Sequence, residues 1–392
     1  MFTNVWYVAE RSANVAAEPV KVRMLGCDFV LFRDTKGQVA CLSNVCPHRG
    51  ANLAGGRCRD DGTLACPYHG WRFNRDGQCV RIPSQTDPDA VMLQLAKVDS
   101  YPVREQNGLI WVFLGDEPEA ASPPLDIPEV GNAAYRQIDF NEVWNCNYER
   151  AVEIDLDYVH SHFVHGAWGE EHRARPPDHV VEDFSEHGFA SHLIARSQPN
   201  RGIWRFLRKE GKGVPSYLKF KLPGFCRRVQ VFIGGEGSPM HFVFYHFATP
   251  INAEQVQNRL LFFRSFLKHP FFDKTNIKRN ERAIREDRKI CEEIFPKAPA
   301  AARDWEIQTE HDHLVGAFHR ILGFMRAKGW QIDTAAMDEM AKANKPLMIP
   351  SPARRQNSAE WAFPTVPRIA PHQTMQAKAA ELGLRRWEAR GQ

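Results

Sequence analysis

Residues 46–79 read CPHRGANLAGGRCRDDGTLACPYHGWRFNRDGQC, and two short runs inside that stretch repeat one chemical theme. Cys46-Pro47-His48 and Cys66-Pro67-Tyr68-His69 each place one thiol and one imidazole in a single tight loop, with seventeen residues between His48 and Cys66. Proline after each cysteine stiffens the loop, and Gly50 and Gly70 just beyond each histidine permit unusual backbone angles. Outward from this pair the chain reads as short strands and turns. Asp28–Arg33 and Gln38–Leu42 flank a turn at Asp34–Gly37, a second turn at Asn74–Gly77 follows Gly70–Phe73, and Leu109–Leu114 is a further apolar strand. No helical period competes over residues 20–115, so the pattern predicts a small all-β domain over 1–117.

Residues 118–130 are proline-rich and aperiodic, which predicts a linker. Beyond it Tyr148, Val152, Leu156, Val159 and Phe163 recur at steps of four, four, three and four, predicting a helix over 145–163. Strands are expected at Leu218–Leu222, Val229–Ile233, Met240–Tyr245 and Arg259–Arg264. Helices are expected over about 275–295, 314–328 and 334–343, and an extended proline-rich stretch over 345–372. Residues 131–392 thus read as an α+β domain, an antiparallel sheet with flanking helices.

Length and composition agree with two globular domains: 392 residues, 43% hydrophobic and 25% charged, which excludes a disordered or fibrous chain. The net charge of +4 gives no argument for nucleic acid. No apolar stretch approaches the ~18 residues of a membrane span. The opening MFTNVWYVAERSANV lacks the basic region and apolar run of a signal peptide, so a soluble, cytoplasmic protein is expected. Nine cysteines, an odd number without secretory context, argue against a disulfide framework. Six of them lie between positions 27 and 79, which invites a metal site.

A Cys₂His₂ set can bind zinc, but zinc-finger spacing usually groups like ligands together. Mixed loops suit a Rieske [2Fe–2S] cluster, where two cysteines hold one iron and two histidines the other, because each loop then gives one ligand to each iron. Cys46, His48, Cys66 and His69 are the expected ligands. Trp71 and Tyr68 are expected to shield them from water, and Cys41, Cys58 and Cys79 to be packing residues.

Such a cluster moves electrons but performs no oxygenation, which needs a 2-His-1-carboxylate iron site with open positions. Glu153, Asp157 and His160 share one helical face, whereas His165 lies about 140° round from His160, so the helix must bend or end before both imidazoles meet one metal. His162 faces away and reads as solvated or capping, and Asp155 as polar surface. Asp287 interrupts the apolar stripe Ile284, Cys291, Ile294. A buried unpaired carboxylate costs several kcal/mol, so either a metal or an arginine must compensate it. Glu286 reads as surface beside Arg282 and Lys289. Glu310-His311-Asp312-His313 offers no common face and reads as a loop or helix start.

The stretch CPHRGANLAGG…CPYHGWRFNRDGQC resembles the Rieske signature of the non-haem iron oxygenases, in their oxygenase (α) component. The resemblance runs from about residue 1 through the linker into the second half. It implies a C-terminal helix-grip (START-like) catalytic domain behind the all-β Rieske domain. Asp157, His160 and His165 are similar to the family motif D-x-x-H-x-x-x-x-H, which implies that both histidines bind ferrous iron. By the same resemblance Asp157 does not ligate iron but links His160 to His69 of an adjacent chain, and the helix carrying Asp287 supplies the third iron ligand. Ile154 stands where family members often carry asparagine.

The activity so implied is hydroxylation, dihydroxylation or oxidative demethylation of a small hydrophobic or aromatic substrate, with or without a carboxylate, using O₂. No G-x-G-x-x-G follows a strand, so electrons must come from a separate NAD(P)H-dependent reductase or ferredoxin. The length resembles the trimeric α-only branch. Lys219, Lys221, Arg227 and Arg228 read as a solvated strand face or an acidic-ligand contact. Two other classes stay open: a Rieske electron carrier with a ligand-binding domain, and a zinc-stabilised binding protein.

Overall fold

Apolar runs of five to seven residues, too short for helices and bounded by turn residues, pair antiparallel throughout the first part of the chain. The computed structural model describes residues 1–86, 90–165, 179–195, 214–233, 235–299, 305–356 and 361–371. Contacts divide the chain into two units, the first comprising Met1–Asp126, Pro250–Asn252 and Met325–His372. Its edge falls inside the predicted linker.

Three sheets build this unit. One joins β1 (Val5–Arg11), β11 (Leu109–Leu114) and β10 (Val103–Gln106), and β11 is buried on both faces, with Trp111 and Phe113 fully enclosed. A second joins β2 (Val20–Met24), β3 (Cys27–Arg33), β4 (Val39–Ser43) and β9 (Ser100–Tyr101). The hairpin turn predicted at Asp34–Gly37 sets the register Arg33↔Val39: Asp34 Oδ1 accepts from the amides of Lys36 and Gln38, both at 2.9 Å. The third sheet is made of very short strands, β5 (Arg57–Cys58), β6 (Leu64–Ala65), β7 (Arg72–Phe73) and β8 (Cys79–Arg81), and it carries the two cysteine–histidine loops. Phe32, Leu42, Leu53, Leu64, Phe73 and Val98 form the core beneath them. Each large side chain there stabilises the unit by about 1.5–3 kcal/mol.

Met325–His372 group with this first unit, which corrects the reading of 131–392 as a single domain. Thr3 N donates to Trp330 O at 2.9 Å, Tyr101 OH to Ile349 O at 2.8 Å, and Arg354 clamps Asp99 at 2.6 Å. Periodicity announces an element but not which sheet it covers.

The second unit is built on one seven-stranded antiparallel sheet, in the order β12-β18-β17-β16-β15-β14-β13. The strands are β12 (Arg136–Trp144), β13 (His179–Ser185), β14 (Gly188–Ala195), β15 (Val214–Lys221), β16 (Cys226–Phe232), β17 (His241–Pro250) and β18 (Val256–Arg264). Helix α2 (Tyr148–Leu156), α3 (Ser161–Val164), α4 (Asp273–Glu293) and α5 (His313–Ala327) accompany it, while Ala90–Leu95 in the first unit is α1. One sheet face grips α4: Arg136 and Arg264, paired across β12 and β18, both bind Asp273 in its first turn. On the same face Phe220 meets Phe318 of α5 edge-on at 5.3 Å.

The helix predicted over 145–163 is two helices. Asn147 caps α2 by accepting from Glu149 N at 2.9 Å. At Asp157 the backbone turns extended (φ −80°, ψ 119°), and Asp157 Oδ1 accepts from Val159 N at 2.7 Å. This local side-chain bond competes with helix continuation and ends α2 four residues before α3. Among the described residues no helix is long and apolar enough to cross a membrane.

Candidate metal centres

In the first unit the two loops adopt the same construction. Cys46 N donates to Ala51 O and Gly50 N to Cys46 O, both at 2.9 Å. Cys66 N donates to Trp71 O at 2.8 Å and Gly70 N to Cys66 O at 3.1 Å. Closing such a loop requires a left-handed residue, and Gly50 (φ 71°) and Gly70 (φ 67°) supply it. The thiols point inward, 1% and 5% exposed. The imidazoles lie outward, His48 facing His69 with ring centroids 4.5 Å apart. Cys46 pulls the Cys66 thiol down to about 6, helped by the amides of Tyr68 and His69 and opposed by burial. A cluster with one cysteine-held and one histidine-held iron fits that inside-to-outside order.

Trp71 stacks on His48 at 4.6 Å and 4°. Tyr68 lies against His69 at 3.9 Å but is 62% exposed, so it covers one ring while remaining open to solvent. Cys41 and Cys79 are buried packing residues and Cys58 is partly buried, and all nine cysteines are free thiols.

In the second unit His160, His165 and Asp287 converge, each offering one ligand atom within 4.8 Å of the others. Asp287 Oδ1 lies 3.4 Å from His160 Nε2 and 3.2 Å from His165 Nε2. The break at Asp157 lets this happen, since a continuous helix would splay the two imidazoles. The opposite ring nitrogens fix the tautomers. His160 Nδ1 contacts the carbonyl of Asp157 at 2.6 Å and His165 Nδ1 contacts Glu286 Oε2 at 3.0 Å, and both partners only accept. With a proton on Nδ1, each Nε2 is the atom that would give its lone pair to a metal. Asp287 Oδ1 is buried with no hydrogen-bond partner. Three potential ligand atoms facing one point, with no hydrogen bond among them, fit a cation.

Asp157 touches this site through both its side chain and its backbone. Its carboxylate accepts from the Val159 amide, with Oδ2 3.9 Å from His160 Nδ1, and its backbone carbonyl contacts that ring nitrogen at 2.6 Å.

Four neighbours depart from the sequence reading. Asp155, expected on the surface, binds Arg227 Nη2 at 2.9 Å and His246 Nδ1, while His246 Nε2 lies 2.9 Å from Asn258. Burial pulls His246 down to about 4, with the bond to Asn258 opposing. Arg228 binds Glu129 at 3.0 Å and Tyr245 OH at 2.9 Å, so both arginines are internal, whereas Lys219 and Lys221 are exposed. Glu286, read as surface, bridges Arg282 (2.8 Å) and His165. Burial raises its pKa, but these two hydrogen bonds outweigh it and hold the carboxyl below its usual value. His162 stays outside the convergent set, and Asp312 accepts from the amide and hydroxyl of Thr309 just ahead of α5.

Comparison with known proteins matches both parts of the chain. Residues 5–102 match the model of the Rieske [2Fe-2S] domain, and residues 144–328 that of the vanillate O-demethylase oxygenase C-terminal domain. The oxygenase subunit of 5,5'-dehydrodivanillate O-demethylase from Sphingobium sp. is 32% identical over 174 residues, 43% of this chain and 40% of the relative. The oxygenase component of dicamba O-demethylase from Stenotrophomonas maltophilia is 36% identical over 167 residues, 42% of this chain and 48% of the relative. The matched stretch thus spans less than half the length of these curated relatives. The crystal structure of dicamba monooxygenase bound to 3,6-dichlorosalicylic acid superposes with a TM-score of 0.71 at 25% identity, covering 83% of this chain and 98% of that one. NdmA of Pseudomonas putida CBB5 with caffeine shares the fold at a TM-score of 0.70 and 22% identity, over 83% and 91% of the two chains. With a Rieske domain and an oxygenase C-terminal domain in tandem on this fold, the chain belongs to the Rieske non-haem iron oxygenases, as an oxygenase component.

Proposed function

We propose that the protein is a terminal oxygenase, using O₂ and externally supplied electrons to hydroxylate or oxidatively demethylate a small hydrophobic or aromatic substrate. The observation that carries this reading is the convergence of His160 Nε2, His165 Nε2 and Asp287 Oδ1 with lone pairs inward. Those three residues would hold a ferrous ion and leave positions open, and Cys46, Cys66, His48 and His69 would hold the cluster. When bound, the cluster supplies electrons singly and the ferrous ion activates O₂. A pure electron carrier has no use for the convergent set.

The chain's own residues prepare that chemistry. Glu286 and the Asp157 carbonyl hold the Nδ1 side of both imidazoles and aim their Nε2 atoms inward. Asp157 retains a free carboxylate oxygen at the turn, and in a homotrimer it would bridge His160 to His69 of an adjacent copy. The sheet face that grips α4 also carries Phe242, Phe244 and Phe262, with ring centroids 5.2 and 4.8 Å apart, which supports an apolar or aromatic substrate lying opposite the helix of Asp287. Relatives named for O-demethylation and for toluene-4-sulfonate monooxygenation support the same substrate class. An NAD(P)H-dependent reductase, a ferredoxin or both would deliver the electrons, and nine free thiols suit a reducing cytoplasm.

The test is product analysis against aromatic acids and aryl methyl ethers with a surrogate reductase. Oxygen-dependent hydroxylated or demethylated product supports the proposal. Reduction and reoxidation of the cluster with no organic product from any substrate would leave the electron-carrier reading.

A further inference from the structure

Residues 286 and 287 point about 100° apart on a straight helix, so a shared target for both is not expected from α4 alone. Yet both reach one imidazole, because His165 crosses the helix from another segment and offers a nitrogen on each side. Asp287 Oδ1 lies 3.2 Å from Nε2 and Glu286 Oε2 3.0 Å from Nδ1. Glu286 is itself anchored: its other oxygen accepts from Arg282 Nε at 2.8 Å, one helical turn back. The two histidines are therefore held unequally. His160 leans on a neutral backbone carbonyl that no side-chain substitution removes, whereas His165 leans on a carboxylate.

We propose that Glu286 is a positioning residue for the mononuclear metal, fixing the tautomer and orientation of His165 and increasing its donor strength. A carboxylate on the outer nitrogen draws the ring proton to Nδ1, leaves Nε2 as the lone pair, and stabilises the partial positive charge that metal binding induces on the ring. Arg282 keeps the carboxylate from rotating away. The inference rests on the metal reading of His160, His165 and Asp287.

The experiment uses the full-length protein with its cluster in place, the mononuclear site stripped by a chelator and titrated with Co(II), whose visible bands report ligand geometry, and then with Fe(II). Glu286→Ala is expected to weaken metal binding by about 10- to 100-fold and to shift the Co(II) bands. Glu286→Gln, which keeps the shape and one accepting oxygen, is expected to fall between wild type and Glu286→Ala, and it carries the test alone if the alanine variant loses its cluster. Arg282→Ala removes the anchor but leaves the bond to His165, and is expected to weaken metal binding less than Glu286→Ala does. Glu286 variants that bind metal as wild type does, or that match Arg282→Ala with unchanged Co(II) bands, would overturn the inference while leaving the metal reading intact. Wild-type protein that takes up no metal at this site would overturn both.

Discussion

Asp287 Oδ1 lies 3.2 Å from Nε2 of His165 with no hydrogen bond joining them, while Nδ1 of the same ring faces Glu286. A carboxylate oxygen buried without a hydrogen bond is costly, so the metal-free site is destabilised and a bound divalent ion relieves it. Adding Co(II) or Fe(II) to stripped protein should raise its stability by about 2.7 kcal/mol when free metal is a hundredfold above Kd. The shift should vanish in Asp287→Asn, whose metal-free form should be no less stable than wild type. A thermal scan of both proteins with and without metal checks this. An equal metal-induced rise in the two would place the ion elsewhere.

Asp157 is expected to matter for turnover rather than for metal retention. Its carboxylate has one oxygen engaged with the Val159 amide, and its carbonyl holds His160 whatever the side chain. Asp157→Asn should lower turnover by at least about tenfold, the loss expected of a hydrogen-bonded group that acts between sites. Cluster absorption and iron content should stay at wild-type values. Unchanged turnover in steady-state assays would remove the bridging role.

Arg227 and Asp155 form a largely enclosed ion pair between β16 and the last turn of α2. Arg227→Met strands Asp155 beside His246, and removing one partner of such a pair costs about 3 kcal/mol. Urea unfolding should show this as a lower midpoint. Because the pair fixes the end of α2, the variant should also bind Fe(II) more weakly. Wild-type stability in Arg227→Met would mean that the pair is solvated.

The Asp273 carboxyl is held below the usual carboxylate range by Arg136, with burial opposing and Arg264 assisting. A depressed folded-state pKa contributes stability that is present above the unfolded value, about 4, and is lost as pH falls through the folded one. Asp273→Asn should therefore be less stable than wild type at neutral pH, and the gap should close as pH drops below about 4. Denaturant midpoints across that range check it; a gap independent of pH would contradict the charge-based account.

Legibility in the sequence followed how local each interaction is. The four cluster residues lie in two short loops whose prolines, glycines and spacing are all written nearby. His160 and His165 share one segment, and Asp287 betrays itself by interrupting an apolar stripe. Glu286 escaped because an arginine four residues away explains it locally, while its second partner, His165, arrives from another part of the chain. Asp155, Arg227 and Arg228 escaped for the same reason: a charge on a polar face looks solvated until a partner from another element is placed on it. The break at Asp157 overrode a good apolar period with one side-chain cap. Strand β12 (RQIDFNEVW) was not foreseen, since its five polar residues outnumber its four apolar ones.

Iron quantitation tests the central assignment most directly. Anaerobically reconstituted wild-type protein should hold about three irons and two acid-labile sulfides per chain, and Asp287→Ala about two irons with the same sulfide and the same visible spectrum. Two irons in both proteins, or a loss of sulfide together with the third iron, would contradict the placement of a separate ferrous ion at His160, His165 and Asp287.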